Sequence, residues 1–142
     1  NIPRDLFLKT GFPLAKQTLA QIRGRTAIHF ASGRGLPLAK DIISTGTNGV
    51  AVSSIENLSE WKALTKNKIT LMGNLNGIEM RRWTPTDVEN EVKRIIAAAG
   101  PGGGFILSDN HGEIPFQVPD DVLFAIRDAV DKWGNYPLNW VK

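Results

Sequence analysis

The sequence predicts an α/β fold in which about four parallel strands alternate with helices within a single domain, residues 1–142. Two observations predict it: four short apolar runs that are too short for helices, and helical patterns between them, in the order α-β-α-β-α-β-α-β-α. Such alternation requires parallel strands joined by right-handed crossovers, in an open doubly wound sheet or in part of a (βα)8 barrel. A complete barrel takes about 250 residues. We therefore expect this chain to supply half of one.

The four predicted strands are rich in β-branched and apolar residues. They cover residues 26–29, 49–53, 68–72 and 104–108. Runs of this kind are typical of parallel strands that are buried on both faces. We therefore expect all four strands to be covered on both sides.

The predicted helices follow from apolar residues at helical spacing. The first covers residues 12–22, the second begins near residue 38 and ends at Gly46, and the third is a shorter segment at 57–65. The clearest helix covers residues 85–99, with Thr84 as N-cap and Pro85 in the first turn. The last begins at residues 119–121 and ends at Gly134.

Composition limits the possible functions. The chain has 42% hydrophobic and 22% charged residues and a formal net charge of +3, without a block of like charge that would indicate nucleic-acid binding. No apolar run is long enough to span a membrane, and no signal peptide opens the chain. The absence of cysteine excludes disulfides and thiolate zinc sites and fits a cytoplasmic location. Any metal must be bound by His, Asp or Glu.

Polar residues follow each predicted strand, where the reactive groups of parallel α/β folds lie. Because these strand ends face the same way, their loops converge on one site. Both histidines of the chain are in this set. The candidate residues are His29, Ser32, Arg34, Ser54, Glu56, Asn74, Asn76, Asp109, His111 and Glu113.

The residues alone leave the roles of these side chains open. His29 and His111 could bind zinc together with Glu113, Asp109 or Glu56, could act as acid or base, or could hydrogen-bond to neighbouring backbone. Asn74 and Asn76 could orient a ligand, although Asn and Gly are also the residues that turns require. The segment SGRGLP is similar to a glycine-rich anion-binding loop with Arg34 close by, but it lacks a full phosphate-binding motif.

A family resemblance adds to these patterns. The ordered segments IHFASG, GVAVSS, ITLMGNLN and GGGFILSDNHGEIPFQVPDDVLFAIRDAVDKWGNYP resemble the carboxyl-terminal part of the uroporphyrinogen decarboxylase superfamily. That superfamily contains the decarboxylase and methyltransferases that work with corrinoid proteins, including methylcobamide:coenzyme M methyltransferases and aryl-ether demethylases. All are (βα)8 barrels. The GPGGG entry, the SDNHGEIP turn and the closing WGNYP look more like the corrinoid methyltransferase branch.

The resemblance also implies positions for functional residues. GNLN corresponds to the family's GN-L-D segment, and the turn at His111 corresponds to a GHG turn or, in zinc methyltransferases, to a turn that carries a cysteine. His29 falls on the His of a His-x-Cys zinc pair, but Ala31 stands where that cysteine would be. Zinc binding would then depend on His29, His111 and a carboxylate or a residue outside this chain.

The functional expectation is therefore a corrinoid-dependent methyltransferase, whose partners would be a small-molecule substrate and a corrinoid protein. The alternatives are uroporphyrinogen III decarboxylase of tetrapyrrole biosynthesis, which needs no cofactor, and an inert fragment that associates with a missing half-barrel or a second copy. We expect no binding to nucleic acid or membranes. The expected roles are catalytic for His111, Asp109 and Glu113, metal-binding for His29 and His111, and substrate-binding for Asn74, Asn76, Ser32, Arg34 and Ser54.

Overall fold

The computed structural model describes residues 3–31, 33–109 and 113–141, and it confirms the alternation of helices and strands. Two short 3₁₀ turns, Leu36–Leu38 and Glu79–Arg82, lie in the loops after the first and third strands. The helices and strands in chain order are α1 (Arg4–Lys9), α2 (Gly11–Gln21), β1 (Ala27–His29), α3 (Ala39–Ser44), β2 (Gly49–Ala51), α4 (Leu58–Thr65), β3 (Thr70–Leu75), α5 (Pro85–Ala99), β4 (Phe105–Asp109) and α6 (Asp120–Trp133).

The strands form one parallel sheet in the order β1-β2-β3-β4. A doubly wound sheet reverses its strand order at a switch point, so that helices cover both faces. Here each strand pairs with the next one along the chain, and right-handed crossovers place the helices on one face. This is the arrangement of four successive βα units of a (βα)8 barrel, and it decides between the two architectures that the sequence allowed.

The hydrophobic core lies between the sheet and the helices. Val50, Leu71, Trp61 and Ile95 are fully buried in it. Alternation along the strands turns every second residue to the other side of the sheet, which we call the inward face. One row of that face consists of His29, Ala51, Met72 and Ile106, which are paired in register across all four strands.

The expectation that all four strands are buried on both faces is wrong for the outer two. β2 is buried throughout, but His29 at the end of β1 is exposed and Ile106 of β4 is 49% exposed. These strands form the edges of the described sheet, and no helix packs on their inward face. Their apolar character fits a sheet whose inward face is covered in a closed barrel.

The start of the chain holds one helix more than predicted: α2 corresponds to the predicted helix at 12–22, and α1 precedes it. Thr10 separates α1 from α2 with non-helical backbone angles, φ −120° and ψ −69°. Pro13 lacks an N–H, so it could not donate to the carbonyl of Lys9 in a continuous helix. α2 therefore begins anew at Gly11, which keeps Pro13 in the first turn.

The two longest helices follow the prediction closely. Thr84 and Asp87 form a capping box at the start of α5, in which each side chain accepts the other residue's backbone N–H. α6 packs along α5, and the segment after α6 returns to this pair: Trp140 donates to the carbonyl of Trp133 at 3.0 Å. Within the described residues, no helix is both long and apolar enough to cross a membrane.

Candidate functional site

The carboxyl ends of the four strands meet at one edge of the sheet, which we call the mouth. Asn74 of β3 lies opposite Ser108 of β4, and Leu75 lies opposite Asp109. His29 ends β1, two strand spacings from β3, or roughly 10 Å. His29, Asn74 and Asp109 therefore lie at the same edge of the sheet. Ser32 and His111, which were predicted to bind substrate and metal, lie outside the described residues.

His29 bonds to its neighbouring backbone, one of the three interpretations that the sequence left open. Its Nδ1 accepts the N–H of Ala31 at 3.1 Å, and Ala31 adopts a positive φ of 50°. A neutral imidazole whose Nδ1 accepts a hydrogen bond carries its proton on Nε2. In this arrangement His29 presents an N–H donor at its exposed end.

Glu56 connects the loops after β1 and β2. Its Oε1 accepts the N–H of Leu36 at 2.6 Å, and its Oε2 accepts the indole N–H of Trp61 at 3.2 Å. Both carboxylate oxygens therefore already bond within the protein. This geometry supports a positioning role, in which Glu56 fixes the loop that follows β1.

Asn74 connects β3 to the loop after β2. Its Nδ2 donates to the backbone carbonyls of Ser53 at 3.0 Å and Glu56 at 3.1 Å. Gly73 precedes it with φ 131°, and a Cβ there would lie 2.7 Å from the carbonyl oxygen of Val52, so only glycine lets the strands approach so closely. Asn74 Oδ1 and Ser53 Oγ are buried without a hydrogen-bond partner among the described residues. They are the unsatisfied polar atoms nearest the mouth.

Of the other predicted side chains, Asn76 and Ser108 form local hydrogen bonds, and Glu113 is exposed to solvent. Asn76 Oδ1 accepts the N–H groups of Ile78 and Glu79, which is the turn interpretation of GNLN. Ser108 Oγ donates to the carbonyl of Asp109, a half-buried residue at the end of β4. Glu113 is exposed in the loop that follows.

Two further predicted residues line surface grooves. Ser54 borders two grooves on the outer surface, both of which also include Arg94 of α5. Arg34 lines a cleft beside α1. The structure therefore brings Glu56, Asn74 and the ends of β3 and β4 together. Ser54 shares one groove with Glu56 and the other with Asn76, whereas Arg34 lines a separate cleft.

The donor set does not fit a zinc site within the described residues. Nowhere in residues 3–31, 33–109 and 113–141 do three His, Asp or Glu side chains converge as metal ligands would. His29 offers an N–H at Nε2 where zinc requires a lone pair, and Ala31 has no donor side chain. The described residues alone therefore do not form a zinc site.

Four exposed apolar side chains lie in the loops that follow β2, β3 and β4, and sequence reasoning did not identify them. Ile55 follows β2, Ile78 follows β3, and Ile114 and Phe116 follow β4; their exposed fractions are 60%, 48%, 46% and 101%. We call this group the apolar rim. Its signal in the sequence was an isoleucine or phenylalanine in the loops after β2, β3 and β4.

Parallel βα repeats with a strand-end site define the class of (βα)8-type α/β proteins. The sequence model of the family described as "Uroporphyrinogen decarboxylase (URO-D)" matches residues 1–133, so this chain belongs to that family. The chain is 32% identical over 105 residues to uroporphyrinogen decarboxylase from Pseudoalteromonas atlantica and 33% identical to that from Histophilus somni. In both cases the match covers 74% of this chain and 29% of the relative.

A solved structure shares the fold. A methyltransferase from Methanosarcina mazei superposes with a TM-score of 0.80 and 18% sequence identity, over 94% of this chain and 39% of that one. The chain therefore spans less than a third of the curated relatives and about two fifths of this structure.

Proposed function

We propose that this chain is part of a methyltransferase that exchanges a methyl group with a corrinoid carried by a partner protein. The apolar rim is the observation that carries the proposal. Exposed apolar side chains clustered at a site favour docking of a protein or a large flat ligand. In this proposal Ile55, Ile78, Ile114 and Phe116 receive the corrinoid-bearing surface of the partner.

The inward face supports the same proposal. Its described strand positions, such as His29, Met72, Asn74 and Ser108, include no lysine or arginine. A decarboxylase must hold carboxylates, for which arginine is the usual partner. An apolar floor with uncharged polar groups is better suited to a neutral methyl donor or acceptor.

His29 would act through its Nε2–H. An N–H donor at the mouth can hydrogen-bond the oxygen or sulfur atom that carries the methyl group and can stabilise the negative charge that develops on that atom as the methyl group leaves. Asp109 at the end of β4 and Glu113 in the loop after it would orient the substrate. Zinc held by His29, His111 and a carboxylate stays a prediction, which metal analysis of wild type and of His29→Ala would test.

The first experiment uses the protein from its complete open reading frame and changes the apolar rim. In the double variant Ile78→Ser/Phe116→Ser we expect at least tenfold slower methyl transfer with a corrinoid protein, since burying such side chains contributes about 1.5–3 kcal/mol each. Transfer with free methylcobalamin should change little. The control is Leu14→Ser/Phe124→Ser, which removes exposed apolar side chains from α2 and α6. Equal losses with both corrinoid forms would argue against docking at the rim.

Decarboxylation is the second candidate, because relatives that are 32–33% identical carry that name. Incubation of the same protein with uroporphyrinogen III, followed by separation of the products by carboxyl count, tests it. We expect no loss of carboxyl groups. Decarboxylation without methyl transfer would replace the proposal with this alternative.

A further inference from the structure

A cleft of about 430 Å³ lies between α1 and the loop that follows β1. Phe30 forms one wall, and it packs against the core on the helix-covered side of the sheet. Phe30 follows His29 directly, so the two side chains point to opposite faces. The cleft, which we call the outer cleft, is therefore separate from the inward face and the mouth.

The walls of the outer cleft are mostly apolar. Phe7 of α1 faces Phe30, and Pro37 and Leu38 complete the lining. Phe7 is held by an edge contact with Phe12, with ring centroids 6.5 Å apart. The volume lies within the roughly 300–1,000 Å³ that small-molecule pockets occupy. These walls are suited to a ligand with a flat apolar body.

The loop that carries Arg34 is fixed on both sides. Before it, the N–H of Gly33 donates to the carbonyl of Phe30 at 2.8 Å; after it, the N–H of Leu36 donates to Glu56. Gly35 lies so close to Trp61 that a Cβ would be 3.0 Å from the indole. These contacts restrain the backbone on either side of Arg34, which lowers the ordering cost of ligand binding.

The charges of the outer cleft leave one cation in excess. Arg4 is paired with Asp41 at 2.8 Å, which also joins α1 to α3. Arg34 has no ion pair within the described part of the chain. One uncompensated guanidinium balances one carboxylate, whereas a phosphate monoester carries nearly two charges.

We propose that the outer cleft binds a small aromatic carboxylate. The ring lies between Phe7 and Phe30, and the carboxylate forms an ion pair with Arg34. This site does not depend on the methyl-transfer proposal, because none of its lining residues belongs to the inward face.

Fluorine NMR titration of the 142-residue chain with 4-fluorobenzoate tests the assignment. We expect saturable binding, with at least tenfold weaker affinity in Arg34→Gln, because a charge-assisted hydrogen bond is lost. Neutral 4-fluorobenzyl alcohol should likewise bind at least tenfold more weakly than the carboxylate. The control Arg23→Gln removes the same charge from an exposed position before β1 and should leave the affinity unchanged.

A second variant tests the apolar walls. Phe7→Ser removes one ring without changing the charge, and it should weaken 4-fluorobenzoate binding severalfold. The proposal is overturned if 4-fluorobenzoate gives no saturable shift, if the alcohol binds equally well, or if Arg23→Gln weakens binding as much as Arg34→Gln. Circular dichroism of each variant identifies any that fail to fold, and Arg34→Lys, which keeps the charge, then provides the test through partial retention of affinity.

Discussion

Glu56 shows how one side chain organises several parts of the candidate site. Its two oxygens bond to Leu36 and Trp61, and its backbone carbonyl accepts from Asn74. The loops after β1 and β2 and the end of β3 thus meet at one residue. A substitution of Glu56 should therefore loosen both of these loops and the end of β3.

Glu56→Gln should destabilise the protein, because an amide keeps only one acceptor oxygen and brings an NH₂ group against one of the two donors. We expect a loss of about 1–2 kcal/mol, or roughly 5 °C in Tm, by thermal denaturation. Glu60→Gln is the matched control, since Glu60 lies exposed on α4. Unchanged stability in Glu56→Gln, or an equal loss in both variants, would contradict the positioning role.

The sequence could place candidate residues at strand ends but could not say what they contact. Periodicity located His29, Glu56 and Asn74 because strand ends are local features. Their partners depend on loop geometry that no spacing reveals: Asn74 reaches back 21 positions to Ser53. The role predicted for His111 stays a prediction, since that residue lies outside the described ones.

At the scale of elements, α5 and α6 are held together by a polar contact on their surface. Glu89 of α5 accepts from Lys132 Nζ at 2.8 Å and from the indole N–H of Trp133 at 2.9 Å. These hydrogen bonds hold the pKa of Glu89 below its usual value. Lys93 lies 3.8 Å from the centroid of the Trp133 ring and adds a cation–π contact.

This contact predicts a pH dependence. Because the folded-state pKa of Glu89 is lowered, its stabilising effect is present above the unfolded value of about 4.3 and is lost as pH falls through the folded value. Below about pH 4, therefore, the Tm of the wild type should fall more steeply than that of Glu89→Gln. Thermal melts from neutral to acidic pH measure this. Parallel curves for the two proteins would contradict it.

Local sequence signals predicted the bounds of the well-capped helices better than the start of the chain or the burial of the edge strands. The Thr84 cap and Gly134 gave α5 and α6 their correct lengths, because these signals act within one turn. The short helix α1 was not predicted, because helical spacing of apolar residues was recognised only from Phe12 onward. The exposure of β1 was missed because composition reports how apolar a strand is and does not report whether a neighbour covers it.

On the scale of the whole molecule, the inward face and the outer edges of β1 and β4 are the largest surface that no other described residues cover. Uncovered parallel strands offer unpaired backbone groups and apolar side chains to another chain. We therefore expect the isolated 142-residue chain to self-associate. Analytical ultracentrifugation should show a mass that rises with concentration.

Ile106→Lys places a charge on this face at the edge strand β4 and should weaken the association. Phe124→Lys adds the same charge to the exposed surface of α6 and is the control. A chain that remains monomeric at every concentration would contradict the prediction, as would equal effects of the two variants.

The most direct measurement is the rate of methyl transfer by the protein from its complete reading frame, compared between a corrinoid protein and free methylcobalamin. The apolar rim predicts that Ile78→Ser/Phe116→Ser slows transfer with the corrinoid protein at least tenfold and leaves transfer with free methylcobalamin nearly unchanged. Failure of the wild-type protein to transfer a methyl group to or from either corrinoid form would contradict the proposed function.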